Sequence, residues 1–371
     1  MNPKCYAPYI GVFYRTNNNR ISPCCQYRTT TNPDEYDYQT AIDDIEGQEQ
    51  TPNCNTCWER EKYGKSTLRH SFDRYKEAFA PDHDGKSFTP VYADIRTSNY
   101  CNLQCNMCSP LDSSKIESFI KTNPDMGEYF KDVSPGYQNS TVNVPVADLA
   151  KLRVLKVAGG EPTIDPECTK FLDKFIAEHD ASLVELWVTT NATRMLPFLR
   201  KYKPHFKRLC VTLSLDASGP ILEFIRYPAR WNQIQTNIDV AIEEQLCDDM
   251  NINIVTQPYN LITVASWAPW FSEFRQRVPR TKIVFLECSN PKHFSTRAMS
   301  ESARSHALEN ITTVKQQYPN LADKMAELEK IVTGKSYEEK YHQQLLEYTD
   351  KIGKIRSIDP YTIDPALEYL K

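Results

Sequence analysis

Short runs of β-branched and apolar residues recur through the middle of the chain, with longer amphipathic stretches between them. VYADIR (91–96), RVLKVAG (153–159), LVELWVTT (183–190), RLCVTLSLD (208–216), NINIVTQ (251–257) and KIVFLEC (282–288) have the length and composition of buried parallel strands. LDSSKIESFIKTN, PECTKFLDKFIAEHD, RMLPFLRKYK, GPILEFIRY with RWNQIQTNIDVAIEEQL, and TVASWAPWFSEFRQRV read as the intervening helices. Six strand-helix repeats predict an α/β domain over 90–290, its parallel sheet either doubly wound or curled into a partial (βα)6 TIM-like barrel. Both arrangements place ligands at the carboxyl ends of the strands.

The flanks read differently. Residues 1–60 offer YIGVFYR as a strand, TNNNR as a turn and ISPCCQYR as the hairpin partner, a small module that needs a staple. WEREKYGKSTLRHSFDRYKEAF (58–79) reads as a helix, so 61–89 connects the module to the main domain through the linker APDHDGKSFTP. Residues 124–150 exceed an ordinary connection and predict a functional insertion such as a lid. The segment 291–371 is a helical C-terminal extension by composition.

Composition narrows the possibilities. A chain of 371 residues, 40% hydrophobic and 25% charged, can bury a full core. Its net charge of -4 provides no basic footprint, so no nucleic-acid partner is expected. No apolar run approaches the roughly 18 residues of a membrane span, and the N-terminus lacks the pattern of a signal peptide. The expectation is a cytoplasmic protein without a membrane partner. In that compartment its twelve cysteines are reduced thiols, so their clusters point to metal or catalysis before disulfides.

NYCNLQCNMCSP (99–110) places Cys101, Cys105 and Cys108 just after the first strand of the repeat. Structural zinc closes with four ligands, and catalytic zinc usually recruits His or carboxylate. Three close thiolates suit a four-iron cube better, with one iron left open. This x3, x2 spacing on this loop resembles the radical S-adenosylmethionine superfamily. The resemblance implies a 4Fe-4S cluster whose open iron binds S-adenosylmethionine and cleaves it reductively, releasing a 5'-deoxyadenosyl radical that takes hydrogen from substrate.

Further positions carry the same resemblance. Met107 stands where relatives often have an aromatic packed on adenine. Gly159, Gly160, Glu161 and Pro162, at the end of the second strand, resemble the GGEP motif that holds the methionyl amine. Thr190 and Asn191 fall where a TNG element is common, with Ala192 in place of its Gly. Ser214 and Asp216 correspond to ribose contacts, and Arg226 to a contact with the methionyl carboxylate.

Cys5, Cys24, Cys54 and Cys57 form a second possible ligand set, with Cys25 beside Cys24 as the alternative. A structural zinc knuckle is one reading. CYAPYIGVFYRTNNNRISPCCQYR also resembles the start of a SPASM or twitch module, which implies an auxiliary 4Fe-4S cluster. Asn19 replaces the usual Gly there, and the module precedes the main domain where such modules generally follow it. Cys288 ends the sixth strand beside Glu287 and is a possible hydrogen donor to a substrate radical. Cys168, Cys210 and Cys247 read as small hydrophobes.

The resemblance implies an enzyme that modifies a peptide or protein, by crosslinking, epimerisation or oxidation, and draws electrons from a donor such as flavodoxin or ferredoxin. A dehydrogenase or isomerase of a small carbohydrate-like molecule is the alternative within the family. A zinc-stabilised binding protein is the alternative outside it.

Overall fold

Strands form where the apolar runs lie: β1 (Gly11–Arg15), β2 (Arg20–Ser22), β3 (Tyr92–Arg96), β4 (Val154–Ala158), β5 (Glu185–Thr190), β6 (Arg208–Ser214), β7 (Asp249–Thr256) and β8 (Ile283–Glu287). In this computed structural model, which describes residues 4–15, 19–30, 35–62, 66–133 and 149–371, they make one mostly parallel sheet. Its order is β2-β1-β3-β4-β5-β6-β7-β8. A doubly wound sheet reverses its strand order at a switch point. Here β3 to β8 follow one another without reversal, which is the winding of a barrel, and β2 and β8 remain as edges. The fold is therefore α/β of the partial-barrel kind.

The hairpin forms, with β1 antiparallel to β2, and β1 is also the parallel neighbour of β3. The first strand of the N-terminal segment is thus built into the main sheet. Asn19, between the two hairpin strands, has φ 49° and occupies the left-handed region that Asn tolerates better than most residues.

The chain divides into two compact units. One comprises, in its described parts, Met1–Tyr100, Tyr137–Thr189 and Phe198–Cys210; the other comprises Cys101–Gly136, Thr190–Pro197 and Val211–Lys371. In the first unit, Ala93, Ile95, Leu155, Val157, Leu186 and Val188 alternate along β3, β4 and β5 and are almost wholly buried. On the alternate positions Asp94 lies opposite Lys156 in register, and Lys156 Nζ meets Asp94 Oδ2 at 3.0 Å. Burial alone would raise the Asp94 carboxyl, but Lys156 and Arg96 hold it below its ordinary range.

The helix expected over 58–79 is two, Asn55–Lys62 and Leu68–Phe79. The second starts at Thr67, which forms a capping box with His70. Its Phe72 is fully buried, and its Tyr75 stacks on Tyr92 with ring centroids 5.0 Å apart.

In the second unit, Met250, Ile252 and Ile254 are buried on β7, which pairs in parallel with β8. The C-terminal segment is helical as expected, over Glu301–Gln317, Ala322–Thr333 and Glu339–Arg356. Of the 124–150 insertion, Pro124–Val133 forms 3-10 turns that bury Met126 and Phe130. Residues 134–148, where a lid was expected, lie outside the described residues. Among the described residues no helix is long and apolar enough to cross a membrane.

Candidate functional site

The cysteine loop has no regular structure, so its backbone polar groups find partners on other elements. Gln104 N donates to the Tyr227 carbonyl at 2.6 Å, and Asn106 N to the Ile225 carbonyl at 2.9 Å. Ser113, N-cap of the helix Ser114–Thr122, donates its hydroxyl to the Leu103 carbonyl at 2.8 Å. Cys101 and Cys105 are buried, Cys108 and Met107 half-buried. Burial pushes the Cys108 thiol well up, and Cys105, Asp112 and Cys101 push it further. Burial also raises Cys105, against the pull of the Arg226 guanidinium. Three thiols crowded in this way favour ionisation once a cation joins them.

Arg226, at the C-cap of the helix Gly219–Ile225, meets Asp216 at 2.8 Å through Nε and Oδ2, and its Nη1 approaches Cys105 Sγ at 3.8 Å. Asp216 is fully buried two residues beyond Ser214, the last residue of β6, and its Oδ1 also accepts from Val255 N at 2.8 Å. Burial opposes the Arg226 charge, yet Asp216, Cys105 and Cys108 hold it firmly protonated. The structure thus joins Asp216 and Arg226 as a buried ion pair against a cysteine of the loop.

The loop after β5 reaches the cysteine loop through a ring of side chains. Asn191 Nδ2 donates to Asn102 Oδ1 at 3.0 Å, Asn102 Nδ2 to Thr193 Oγ1 at 2.9 Å, and Thr193 Oγ1 to Asn191 Oδ1 at 2.6 Å. Thr190 Oγ1 accepts from Ala192 N at 3.1 Å. Ala192 has φ 63°, the conformation that favours the Gly it replaces. No sequence signal marks Asn102 or Thr193, each an ordinary polar residue.

In the other unit, the Gly-Gly-Glu-Pro turn lies against the backbone of Ser98 and Tyr100. Gly160 N donates to the Ser98 carbonyl at 3.1 Å and Glu161 N to the Tyr100 carbonyl at 2.7 Å. A Cβ on Gly160 would stand 2.2 Å from the Tyr100 oxygen, and Gly159 has φ 122°, so both glycines are required by backbone geometry. The Glu161 carboxylate is buried and accepts from Thr163 Oγ1 at 2.6 Å. Pro162 follows, also buried.

Cys5, Cys24, Cys54 and Cys57, drawn from three stretches of the first unit, line one apolar pocket with Trp58 and Phe72. Burial pushes Cys54 up to about 12, with Cys57 adding to it, and Cys5 is raised by burial and by Cys54 and Cys57. Cys25 has other neighbours: burial and Asp94 raise it, while Lys156 and Arg96 pull it down. Among the described residues no three His, Cys, Asp or Glu side chains converge as one metal ion requires. A cube sets a wider spacing, because each thiolate binds a different iron.

Cys288 follows β8, buried, with its Sγ donating to the Asn290 carbonyl at 3.5 Å. Burial and the Asp216 charge push it up to about 12. Glu287 pairs with Lys335 at 3.1 Å. His293, which no sequence signal marked, is buried between Tyr129, Phe294 and Tyr348 with no hydrogen bond to Nε2, and burial pulls it down to about 3.

No family model and no curated protein matches the chain. Among solved structures, it is similar to tagged anSMEcpe with bound AdoMet, at 15% identity and TM-score 0.42, covering 61% of each chain. Native anSMEcpe with bound AdoMet and Cp18Cys peptide matches at 18% identity and TM-score 0.38, over 66% of this chain and 67% of that one. Streptococcus suis SuiB bound to precursor peptide SuiA matches at 13% identity and TM-score 0.37, over 74% and 60%. The chain thus spans about three fifths of the length of the first of these relatives.

Proposed function

We propose that this protein is a radical S-adenosylmethionine enzyme that modifies a peptide or protein. The observation that carries the reading is the loop of Cys101, Cys105 and Cys108, three crowded thiols with the Arg226–Asp216 pair against Cys105. Such a donor set fits an iron-sulfur cube, since thiols raised by burial, and at Cys108 also by Cys105 and Cys101, gain from the charge of iron. When bound, the cluster would supply the electron that cleaves S-adenosylmethionine, and a 5'-deoxyadenosyl radical would take hydrogen from substrate.

The residues assigned to S-adenosylmethionine are Met107, Gly159 to Pro162, Thr190, Asn191, Ser214, Asp216 and Arg226. Asn191 is oriented by Asn102 and Thr193, and Asp216 and Arg226 would meet the ligand as a charge-balanced pair. Cys5, Cys24, Cys54 and Cys57 would hold an auxiliary cluster, with residues 1–60 as its module, a reading supported by their common pocket. A peptide or protein is preferred to a small carbohydrate-like substrate because relatives with such modules often modify peptides. Cys288, already hydrogen-bonded to a carbonyl, is the assigned hydrogen donor. A flavodoxin or ferredoxin in a reducing cytoplasm would supply electrons.

The test is the metal content of protein purified without oxygen. About eight irons per chain are expected if both sites hold four-iron clusters, falling to about half when Cys101, Cys105 and Cys108 are replaced by Ala. Zinc in place of iron would favour the binding-protein reading instead.

A further inference from the structure

The cysteine loop is held from a distant part of the chain. Arg356, the last residue of the helix Glu339–Arg356, donates from Nη1 to the Phe224 carbonyl at 2.8 Å. Its Nη2 donates to the Gln104 carbonyl and to Asn106 Oδ1, both at 3.2 Å. These two residues bracket Cys105. Asn106 Oδ1 also accepts from Tyr348 OH, on the same helix, at 3.3 Å, and the Arg356 guanidinium lies 4.4 Å from the centroid of the Tyr227 ring. Asn106 is fully buried, and Tyr227 is the residue whose carbonyl receives Gln104 N.

A guanidinium presents several donors in one rigid plane, so a single side chain can fix several acceptors relative to one another. Here the fixed acceptors are the residues on either side of Cys105 and the Phe224 carbonyl, on the helix that ends next to Arg226. The guanidinium charge is thereby held against both chain neighbours of Cys105. A positive charge beside a ligand sulfur stabilises the more negative, reduced state of a bound cluster.

We propose that Arg356 is a positioning residue for the three-cysteine loop: its donors fix the chain on either side of Cys105, and its charge raises the reduction potential of the cluster those thiols hold. The proposal rests on the reading of the loop as an iron-sulfur site. It assigns the C-terminal helix a part in the redox chemistry as well as in the packing.

The test compares the full-length, anaerobically reconstituted protein with R356M and R356K. One readout is the rate of iron release to a chelator; the other is the midpoint potential of the EPR signal that responds to added S-adenosylmethionine. R356M is expected to release iron from this site about tenfold faster or more, the usual scale for loss of an outer-shell partner, and to shift the potential to more negative values. R356K keeps the charge without the fork, so it should release iron faster while its potential stays nearer that of the unaltered protein. If R356M does not fold, R356K decides between loop fixation and none. Iron release and potential unchanged in the variants would overturn the proposal and leave the cluster reading intact. An unaltered protein that binds no iron would overturn the cluster reading itself, before any variant is compared.

Discussion

Glu161 donates its backbone N–H to the carbonyl of Tyr100 at 2.7 Å, so the Gly-Gly-Glu-Pro turn is pinned to the residue immediately before Cys101. Tyr100 and Glu161 are far apart in sequence, and this contact is backbone on backbone. It leaves no room for a side chain at Gly160.

Gly160→Ala places a methyl group 2.2 Å from the Tyr100 oxygen. The backbone must move, which costs about 1–3 kcal/mol and displaces the approach to Cys101. Gly47→Ala is the control, since nothing lies within 4 Å of a Cβ at the end of the helix Tyr38–Gly47. Urea unfolding should show a clear loss for the first variant and no loss for the second. Equal stabilities would contradict the close approach.

Asp216→Ala removes the carboxylate that balances the buried Arg226. An uncompensated buried charge typically costs about 3–5 kcal/mol, and Val255 N also loses its acceptor. A Tm close to that of the unaltered protein would show that water or another group reaches Arg226.

Stability should depend on pH through His293. Burial pulls its folded pKa down to about 3, below the ordinary value of about 6.5, so the unfolded chain takes up the proton first as pH falls. Its contribution is fully present above about 6.5 and declines by up to about 1.4 kcal/mol per pH unit towards 3. His293→Phe keeps an aromatic ring between Tyr129 and Phe294 and removes this dependence. Urea midpoints of the two proteins at pH 7.5 and pH 5 should therefore converge or cross in favour of the variant on acidification. Parallel profiles would place the titration elsewhere.

The two adjacent cysteines separate in a simple experiment. Cys24 lines the pocket shared with Cys5, Cys54 and Cys57, whereas Cys25 lies among Asp94, Lys156 and Arg96. Cys24→Ala should lower iron and sulfide at the auxiliary site, and Cys25→Ala should leave both at the level of the unaltered protein. The reverse result would exchange the two assignments.

The strand runs were legible because a buried strand is a local pattern, and all six in the central domain appear within a few residues of where the apolar runs place them. The choice between a barrel and a doubly wound sheet was not legible, since strand order depends on pairings that no local run encodes. For the same reason the parallel pairing of β1 with β3 was hidden behind an obvious hairpin. At the site, the cysteines and the glycine turn carried their own signals. Asn102, Thr193 and Arg356 did not, because each is an ordinary polar residue whose importance lies in a partner distant along the chain. The pairing of Asp216 with Arg226, ten residues apart, likewise emerges only when the strand end and the following helix are folded together.

The most direct measurement is formation of 5'-deoxyadenosine by anaerobically reconstituted protein given S-adenosylmethionine and a strong reductant. The account predicts that product from the unaltered chain, and none when Cys101, Cys105 and Cys108 are replaced by Ala. Protein fully loaded with iron that leaves S-adenosylmethionine intact would contradict it.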